Sequence, residues 1–458
     1  IMMKPPSLTD TIFALATPPG RSALAVIRVS GPQAADVPEL FGATSLLPRQ
    51  AQRRWLKDKE GNLIDDVMMI AFVGPRSATG EDVTEIHCHG SPAVVEDILN
   101  HLAAVSGFRL AEAGEFTRRA FDNNKTDITA AEGLADLIDA NTSLQRVQAA
   151  AQMAGSLRRP VENWRKEIIS CLSELEASID FTDEDLPATL ETQIRNRIQT
   201  IHGDMKAGLA NFYKGQIIRT GLSIVLAGPV NAGKSTLLNL LARRPAAIVS
   251  AMPGTTRDSI EVGLEIAGVS VAVKDTAGWR QTDDPIEKEG IERARQAAAD
   301  ADILVVVVDG SQPGWSEDMD EIITWGSQTS LILLNKSDVG VVTDDKRHTA
   351  DRASEETVLS ISAKDGSGLS EFEARLGEII QDLNRTSSSI TLTRVRHQQA
   401  VRQAVEHLEA SLHLSLVNQT ELVAEEFRSA TSALSRILGH VDIEDVLDHI
   451  FSNFCIGK

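Results

Sequence analysis

The chain has 458 residues and a formal net charge of −20, so it is too long for one hydrophobic core and predicts about three or four compact units. The negative charge repels polyanions, so a nucleic acid would have to meet a local basic patch or bind through another protein. Cys88, Cys171 and Cys455 are too few and too far apart for a disulfide framework or a zinc spacing. These scattered cysteines fit a reducing cytoplasm. No apolar run reaches the roughly 20 residues of a membrane helix, so we also expect no membrane spans.

The N-terminal residues 1–122 mix strand-like and helix-like segments. SALAVIRVSG, DVMMIAFVG and DVTEIHCHG are typical of strands, and AVVEDILNHLAAV is typical of a helix. Glycine and proline bound these segments. We therefore predict a compact α/β domain here.

Residues 123–220 and 385–458 have the spacing of amphipathic helices. Apolar side chains recur at intervals of three, four and seven residues, as at Leu134, Leu137 and Ile138 and again at Val401, Val405 and Leu408. We predict that both segments belong to one helical domain, into which residues 221–384 are inserted.

The inserted segment alternates apolar strands with helices. LSIVLAG, VSVAVKD, DILVVVVDG, SLILLNK and TVLSISA are almost continuously apolar, as in a parallel sheet that is buried on both faces. The prediction is an α/β domain with a mainly parallel sheet.

The loop GPVNAGKS, residues 228–235, lies between a predicted strand and a predicted helix. This is the setting in which G-x-x-x-x-G-K-[ST] binds phosphates, with backbone N–H groups converging at a helix N-terminus. Lys234 adds a positive charge, and Ser235 offers a hydroxyl to Mg²⁺. The predicted nucleotide-binding residues of this segment are Asn231, Ala232, Gly233, Lys234, Ser235 and Thr236.

Three further motifs follow later strands in the order expected of a GTPase. The carboxylate of Asp275 in DTAG can hold the Mg²⁺ shell, although this tetrapeptide alone is more often a turn. Asp338 in NKSD can accept from both N1–H and the N2 amino group of guanine, a donor pair that adenine lacks. The SAK motif adds a backbone donor for guanine O6. The predicted nucleotide-binding residues of these motifs are Asp275, Thr276, Ala277, Gly278, Asn335, Lys336, Asp338, Ser362, Ala363 and Lys364.

Hydrolysis requires a group that orients water. Trp279 stands directly after DTAG, where many regulatory GTPases have glutamine, so another residue must act. We select Glu287 from the following segment and keep open that each carboxylate there is a solvated surface group. The rival carboxylates are Asp283, Asp284 and Glu289.

The loop SAMPGTTRD supplies hydroxyls suited to closing over Mg²⁺ and the γ-phosphate. It contributes Ser250, Thr255 and Thr256, unless GTT is merely a polar turn. We predict Ser235 and Thr256 as magnesium ligands, and Glu287, Lys234 and Thr256 as catalytic residues.

Several of these motifs reach beyond general GTPase features. TIFALATPPGRSALAVIRVSG, GEFTRRAFDNNKTDITAAEGLADLIDA, NAGKSTLLN, PGTTRD, DTAGWR and the final FCIGK occur in one order over nearly the whole chain. In this combination the chain resembles the MnmE (TrmE) family of tRNA-modifying GTPases.

The resemblance implies a function and a set of partners. Such a protein is a homodimer that works with the flavoprotein MnmG and adds a (carboxymethyl)aminomethyl group to carbon 5 of the wobble uridine in certain tRNAs. It requires GTP hydrolysis, and tRNA binds mainly through the partner. The N-terminal domain holds a tetrahydrofolate one-carbon donor, in the 5-formyl or 5,10-methylene form. The folate-binding positions of the family fall on Arg28, Glu85, Lys125 and Lys458.

The resemblance also implies that K⁺ replaces an arginine finger. The K⁺ ligands of the family fall on Asn231, Ser250, Met252 and Thr255, and its water-orienting glutamate falls on Glu287. A monovalent cation between the phosphates neutralises charge that develops during transfer.

Two cysteine-containing motifs keep alternative interpretations. Cys455 is either a nucleophile or proton donor near the one-carbon unit, or a packed side chain behind Phe454. His87, Cys88 and His89 suggest a metal, but alternate residues of a strand face opposite ways, which favours a core or folate-pocket role.

Two other functions compete with tRNA modification. A GTPase switch in ribosome assembly would normally append a basic RNA-binding module, which this acidic chain lacks in sequence. A folate carrier without chemistry also fits the N-terminal segment.

Overall fold

The computed structural model describes residues 10–180, 188–244, 247–248, 261–276, 285–326, 330–342, 357–384, 391–439, 447, 454 and 457. The chain forms two compact units. The first combines residues 1–135, 151–202 and 399–458, and the second combines residues 136–150 and 203–398. The domain boundaries at residues 122, 220 and 384 stay predictions.

The N-terminal domain is built on a mainly antiparallel six-stranded sheet, in which only β1 and β6 are parallel. Its strands are β1 (Thr11–Leu15), β2 (Ser22–Ser30), β3 (Gln52–Lys57), β4 (Leu63–Phe72), β5 (Val83–Gly90) and β6 (Phe108–Leu110). Their spatial order is β3-β4-β5-β2-β1-β6. The helices are α1 (Val37–Leu40), α2 (Pro92–Ala103) and α3 (Glu115–Asp122).

The two faces of this sheet have different chemistry because successive side chains of a strand point to opposite sides. On one face, Ile27 and Ile86 join the main core with Leu102 of α2. On the other face, Phe116 of α3 packs with Ile12. The charged residues Arg28 and Glu85 alternate with core residues on β2 and β5, so they lie on the face that α3 only partly covers.

The predicted helical segments consist mainly of helices in the part of the chain that the structure describes. They form α4 (Ile128–Asp139), α5 (Ser143–Met153), α6 (Arg158–Asp180), α7 (Ala188–Ala210) and α8 (Phe212–Thr220). After the insertion, they form α13 (Val395–His413) and α14 (Thr420–Leu438). Val401 and Leu408 of α13 are fully buried, which agrees with the predicted apolar face. Arg165 of α6 donates to Ser435 of α14 at 2.9 Å. No helix among the described residues is long and apolar enough to cross a membrane.

The second unit contains a seven-stranded sheet with the spatial order β13-β12-β11-β7-β10-β9-β8. Its strands are β7 (Leu222–Ala227), β8 (Ala247–Ile248), β9 (Glu261–Ile266), β10 (Val269–Asp275), β11 (Ile303–Asp309), β12 (Ser330–Asn335) and β13 (Thr357–Ser360). The helices are α9 (Lys234–Ala242), α10 (Pro285–Ala299), α11 (Trp315–Ile323) and α12 (Leu369–Asn384).

Five strands of this sheet, namely β7, β10, β11, β12 and β13, run parallel, and β8 and β9 extend it in antiparallel fashion. Every residue of β11 before Asp309 is buried, which confirms the predicted parallel sheet with two covered faces. Because parallel strands end at the same edge, the loops after β7, β10, β12 and β13 meet there. This edge carries the predicted nucleotide motifs.

Candidate functional site

The loop between β7 and α9 has the tight geometry that its glycines predict. Gly233 has φ +96°, and a Cβ added there would lie 2.2 Å from Nδ2 of Asn335. A Cβ added at Gly228 would lie 2.0 Å from the carbonyl oxygen of Val307. Asn231 also adopts a left-handed conformation, with φ +65°. The backbone therefore turns closely enough to present its N–H groups at the start of α9.

Lys234 is held in this loop by carbonyl oxygens. Its Nζ donates to the carbonyl of Gly228 at 2.8 Å and to that of Pro229 at 2.9 Å, and the residue is only 6% exposed. Burial lowers the pKa of Lys234, and the nearby Asp275 carboxylate opposes that shift. No carboxylate of the described residues lies within ion-pair distance of this ammonium, so an anionic ligand would complete its charge balance.

Ser235 and Asp275 meet at the same edge. The Ser235 hydroxyl donates to Oδ2 of Asp275 at 2.6 Å. The other carboxylate oxygen, Oδ1, is buried and has no hydrogen-bond partner among the described residues. A hydroxyl beside a carboxylate with a spare oxygen is the donor set that Mg²⁺ and its waters prefer, so these residues fit the predicted magnesium site. Next to them, Thr276 donates to the carbonyl of Leu226 at 2.8 Å.

Asn335, the last residue of β12, connects two loops at this edge. Its Nδ2 donates to the carbonyl of Ala232 at 2.7 Å, and its Oδ1 accepts from the N–H of Ala363 at 2.9 Å. The residue is 2% exposed. Asn335 therefore fixes the phosphate loop to the loop after β13.

Asp338, the residue predicted to bind guanine, lies beside two residues of the SAK motif. Ser362 donates to Asp338 at 3.1 Å, and the Lys364 ammonium lies 3.7 Å from the other carboxylate oxygen. Lys336 pairs with Asp309 at 2.6 Å. Burial raises the pKa of Asp309, but hydrogen bonds from Lys336 and Ser311 outweigh it and hold the pKa below its ordinary value. The Asp338 carboxylate is positioned by a hydroxyl and keeps acceptor capacity for a base.

Several predicted site residues lie outside the described residues. They are Ser250, Met252, Thr255, Thr256, Ala277, Gly278, Trp279, Asp283, Asp284, Cys455 and Lys458. Glu287 lies in α10, but its side chain is not among those described. Its rival Glu289 is exposed and pairs with Arg293 at 2.6 Å, one turn along the same helix. Of the remaining predicted residues, Ala232 is buried, and Asn231 and Thr236 are exposed.

On the N-terminal domain, the structure brings Arg28 and Glu85 together. They are direct partners in the antiparallel register of β2 and β5, and Nη2 of Arg28 lies 2.9 Å from Oε1 of Glu85. The guanidinium also lies 5.8 Å from the ring centroid of Phe116. His87 approaches the second oxygen of Glu85 at 3.4 Å. The pair is partly exposed, with side-chain exposures of 25% and 17%, and is therefore accessible to a ligand.

The C-terminal segment reaches the same sheet. Gly457 has φ +102°, and a Cβ added there would lie 2.2 Å from the carbonyl oxygen of Leu15, at the end of β1. Ala14, the residue before Leu15, is the register partner of Arg28. Phe454 is buried beside Ile128. The close approach excludes any side chain at position 457 and places Gly457 at the end of β1, a contact that sequence spacing alone does not reveal.

Lys125 occupies a different position from the Arg28–Glu85 pair. Its Nζ donates to the carbonyl of Pro75 at 2.8 Å, in the connection between β4 and β5. The side chain is exposed. The predicted folate-binding residues therefore lie in two places: Arg28 and Glu85 lie on the face of the sheet, and Lys125 lies at the connection between β4 and β5.

The HCH segment alternates as expected for a strand. Cys88 faces the core, where burial, followed by the charge of Asp65, raises the pKa of its thiol to about 11. His89 is exposed, and its Nδ1 lies 2.7 Å from Asp65. The hydrogen bond with Asp65 raises the pKa of His89. His87 and His89 are thus engaged with separate carboxylates.

Sequence reasoning missed a buried network of charges under α3. Arg119 is 2% exposed and bonds to Glu81 at 3.0 Å and to Glu115 at 3.1 Å. Arg109 also pairs with Glu115, at 2.6 Å. Burial opposes the ionisation of Glu115, but hydrogen bonds from Arg109 and from the Glu112 N–H hold its pKa below its ordinary value. The charged residues of GEFTRRAF could have indicated a buried network, but some of their partners lie in other segments of the chain.

Comparison with known proteins covers both units. A family model described as MnmE helical domain matches residues 128–455, and another, described as GTP-binding protein TrmE N-terminus, matches residues 11–125. The chain is 45% identical to the tRNA modification GTPase MnmE of Maricaulis maris (strain MCS10), over 98% of this chain and 100% of that relative. It is 44% identical to the protein of the same name from Caulobacter vibrioides, again over 98% of this chain and 100% of the relative.

The geometry of Asp338 predicts a change of base preference. Asp338→Asn replaces a double acceptor by one donor and one acceptor, which matches the N1–H and C2 carbonyl of xanthine. Two charge-assisted hydrogen bonds at about 1.5–3 kcal/mol each predict at least about a 100-fold loss of GTP affinity and a gain for XTP. Equilibrium titration with fluorescent nucleotides measures both. Asp300 is an exposed carboxylate of the same unit, so Asp300→Asn should change neither the affinity for GTP nor that for XTP. An unchanged GTP preference in Asp338→Asn would contradict the assignment of Asp338 to guanine binding.

Proposed function

Since the chain belongs to the MnmE family of tRNA modification GTPases, we propose that it hydrolyses GTP and, with the flavoprotein MnmG, modifies carbon 5 of the wobble uridine of certain tRNAs. The group added is aminomethyl or carboxymethylaminomethyl. The observation that carries the GTPase part is the convergence of Lys234, Ser235 and Asp338 at one edge of the parallel sheet.

Different residues at this edge bind the phosphates, the Mg²⁺ ion and the guanine base of GTP. Backbone N–H groups of residues 231–236 and the Lys234 ammonium bind the phosphates, because both present positive charge at the start of α9. Ser235, with Thr256, would hold Mg²⁺, and Asp275 would hold its water shell, as their oxygens fit this ion. Mg²⁺ supplies neutralisation of phosphate charge when it is bound. Asp338 accepts from N1–H and the N2 amino group of guanine, and the SAK segment, residues 362–364, supplies a backbone donor for O6.

Glu287 orients the attacking water in this proposal. Trp279 lacks a group that could accept from water, and the rival Glu289 is engaged with Arg293 on the surface of α10. Glu287 stands two residues before Glu289 in α10. A potassium ion would serve in place of an arginine, with Asn231 as a ligand from the phosphate loop and Ser250, Met252 and Thr255 from the following loop.

A tetrahydrofolate derivative is the proposed one-carbon donor. The Glu85 carboxylate suits the adjacent ring N–H and amino donors of a pterin, and Arg28 and Phe116 offer a guanidinium and an aromatic face beside it. The close approach of Gly457 to Leu15 supports a role for the chain end, where Cys455 and Lys458 stand.

We also propose a homodimer that acts in the cytoplasm and meets tRNA mainly through its partner. The net charge of −20 disfavours a broad RNA-binding surface on this chain.

The function is tested by mass spectrometry of tRNA nucleosides from cells that lack this protein. We expect the C5-substituted wobble uridines to disappear, to return with the wild-type gene, and to stay absent with Lys234→Ala. Normal wobble uridines in the deleted cells would overturn the proposal. If ribosomal subunits were then abnormal in sucrose gradients, the chain would be a ribosome-assembly GTPase instead.

The role of Glu287 is tested with two neighbouring variants. Glu287→Ala should slow GTP cleavage by about 100-fold or more, the range of a lost proton-handling or water-orienting group, and leave GTP affinity nearly unchanged. Glu289→Ala, which removes a surface carboxylate of the same helix, should cleave GTP at the wild-type rate. Single-turnover hydrolysis gives both rates. Equal cleavage by wild type and Glu287→Ala would transfer the role to another carboxylate.

The potassium proposal predicts a difference between salts. Hydrolysis should be at least about tenfold faster in KCl than in NaCl at equal ionic strength, because the ion must fit between the phosphates. Asn231→Gly keeps the left-handed backbone and removes the amide ligand, so its rates in the two salts should converge. Equal rates for the wild type would exclude the ion.

A further inference from the structure

Three cationic side chains surround a shallow cavity on the N-terminal domain. The cavity has a volume of about 400 Å³ and is lined by Arg49, Arg76 and Lys125 together with Phe72 and Ser77. Cavities of this size are common at small-molecule sites. We call these residues the cation pocket.

Arg49 is held in the cation pocket by its backbone and by its side chain. Its φ of +59° is unusual for a residue with a side chain, and its N–H donates to the carbonyl of Ala71 at 2.7 Å. The guanidinium lies 5.8 Å from the ring centroid of Phe72 and donates to the carbonyl oxygen of Arg76. Such an uncommon conformation directs the cation into the pocket and often marks a functional position.

The positive charges of the cation pocket are not balanced by protein carboxylates. In the described part of the chain, no Asp or Glu side chain pairs with Arg49, Arg76 or Lys125. The side chains of Arg49 and Lys125 donate to carbonyl oxygens instead. On the same sheet, Arg53 pairs with Asp66 at its surface. In a chain of net charge −20, three adjacent unpaired cations indicate a site that an external anion occupies.

The strand register connects the cation pocket with the Arg28–Glu85 pair. Ile70 of β4 is the partner of Glu85, and Phe72 is two residues further along β4, so Phe72 lies on the same face of the sheet. Two residues of a strand span about 7 Å, and neighbouring strands lie about 5 Å apart. One extended ligand can therefore contact both Glu85 and the cation pocket.

We propose that the cation pocket binds the glutamate end of the folate donor and selects polyglutamylated forms. This inference rests on the proposed folate function and extends it, because it assigns Arg49, Arg76 and Phe72 to the site. The ring system of the ligand lies at Glu85, and its successive carboxylates pair with the three cations. Guanidinium groups suit this role because they bind carboxylates through two parallel N–H donors. The small size of the cluster favours a short polycarboxylate over an RNA backbone.

The test compares 5-formyltetrahydrofolate carrying one and three glutamates, titrated against the full chain by calorimetry. We expect the triglutamate to bind at least about tenfold more tightly, since a charge-assisted hydrogen bond contributes about 1.5–3 kcal/mol. Arg76→Gln and Arg49→Gln should each reduce this preference several-fold, whereas Arg49→Lys should retain part of it. Lys57→Gln, which removes an exposed cation at the opposite end of the same sheet, should keep the full preference. Circular dichroism confirms that each variant is folded.

The outcomes separate this inference from the function on which it rests. If the wild type binds both forms equally, the cation pocket does not bind the glutamate end, and the folate function stands. If the wild type binds neither form, the folate function falls and this inference falls with it. If Arg76→Gln keeps its folate preference but loses affinity for tRNA, the cation pocket binds RNA phosphate and the inference is wrong.

Discussion

Positive charge without a carboxylate partner among the described residues is the feature on which both proposed sites of this molecule depend. The chain carries 65 acidic and 45 basic side chains, so most cations readily find a carboxylate. Lys234 in the second unit, and Arg49 and Lys125 in the first, donate instead to carbonyl oxygens. A carbonyl oxygen accepts a hydrogen bond from these cations but does not neutralise their positive charge. These positions therefore favour the binding of an anionic ligand.

The nucleotide site depends on how closely its loops are joined. Asn335 bonds to the phosphate loop and to the loop after β13, and Ser235 bonds to the end of β10. The phosphate loop and the loop after β13 are therefore joined through the side chain of Asn335. The glycines at 228 and 233 allow this closeness, since a side chain at either would meet atoms of neighbouring strands.

The N-terminal site depends on a framework that has no part in the chemistry proposed for it. Arg119 and Glu115 are buried under α3, and Arg119 also reaches Glu81 in the connection between β4 and β5. Breaking a buried pair leaves an uncompensated charge and costs about 3–5 kcal/mol, so this network holds the helix and the connection in place. Phe116 of the same helix is thereby kept beside Arg28.

The amino-acid sequence by itself determined the parallel sheet, the helical segments, the phosphate loop and the family, because these rest on local periodicity and on short motifs whose residues act together within one loop. Only the tertiary structure decided that Asn335 joins the phosphate loop to the loop after β13, that Gly457 lies against Leu15, and that Arg49 shares a pocket with Lys125. It also revealed the partners of Arg119 and the antiparallel strands β8 and β9. These features join residues far apart in the chain, and contacts of that kind follow from strand register and packing, which no local pattern encodes.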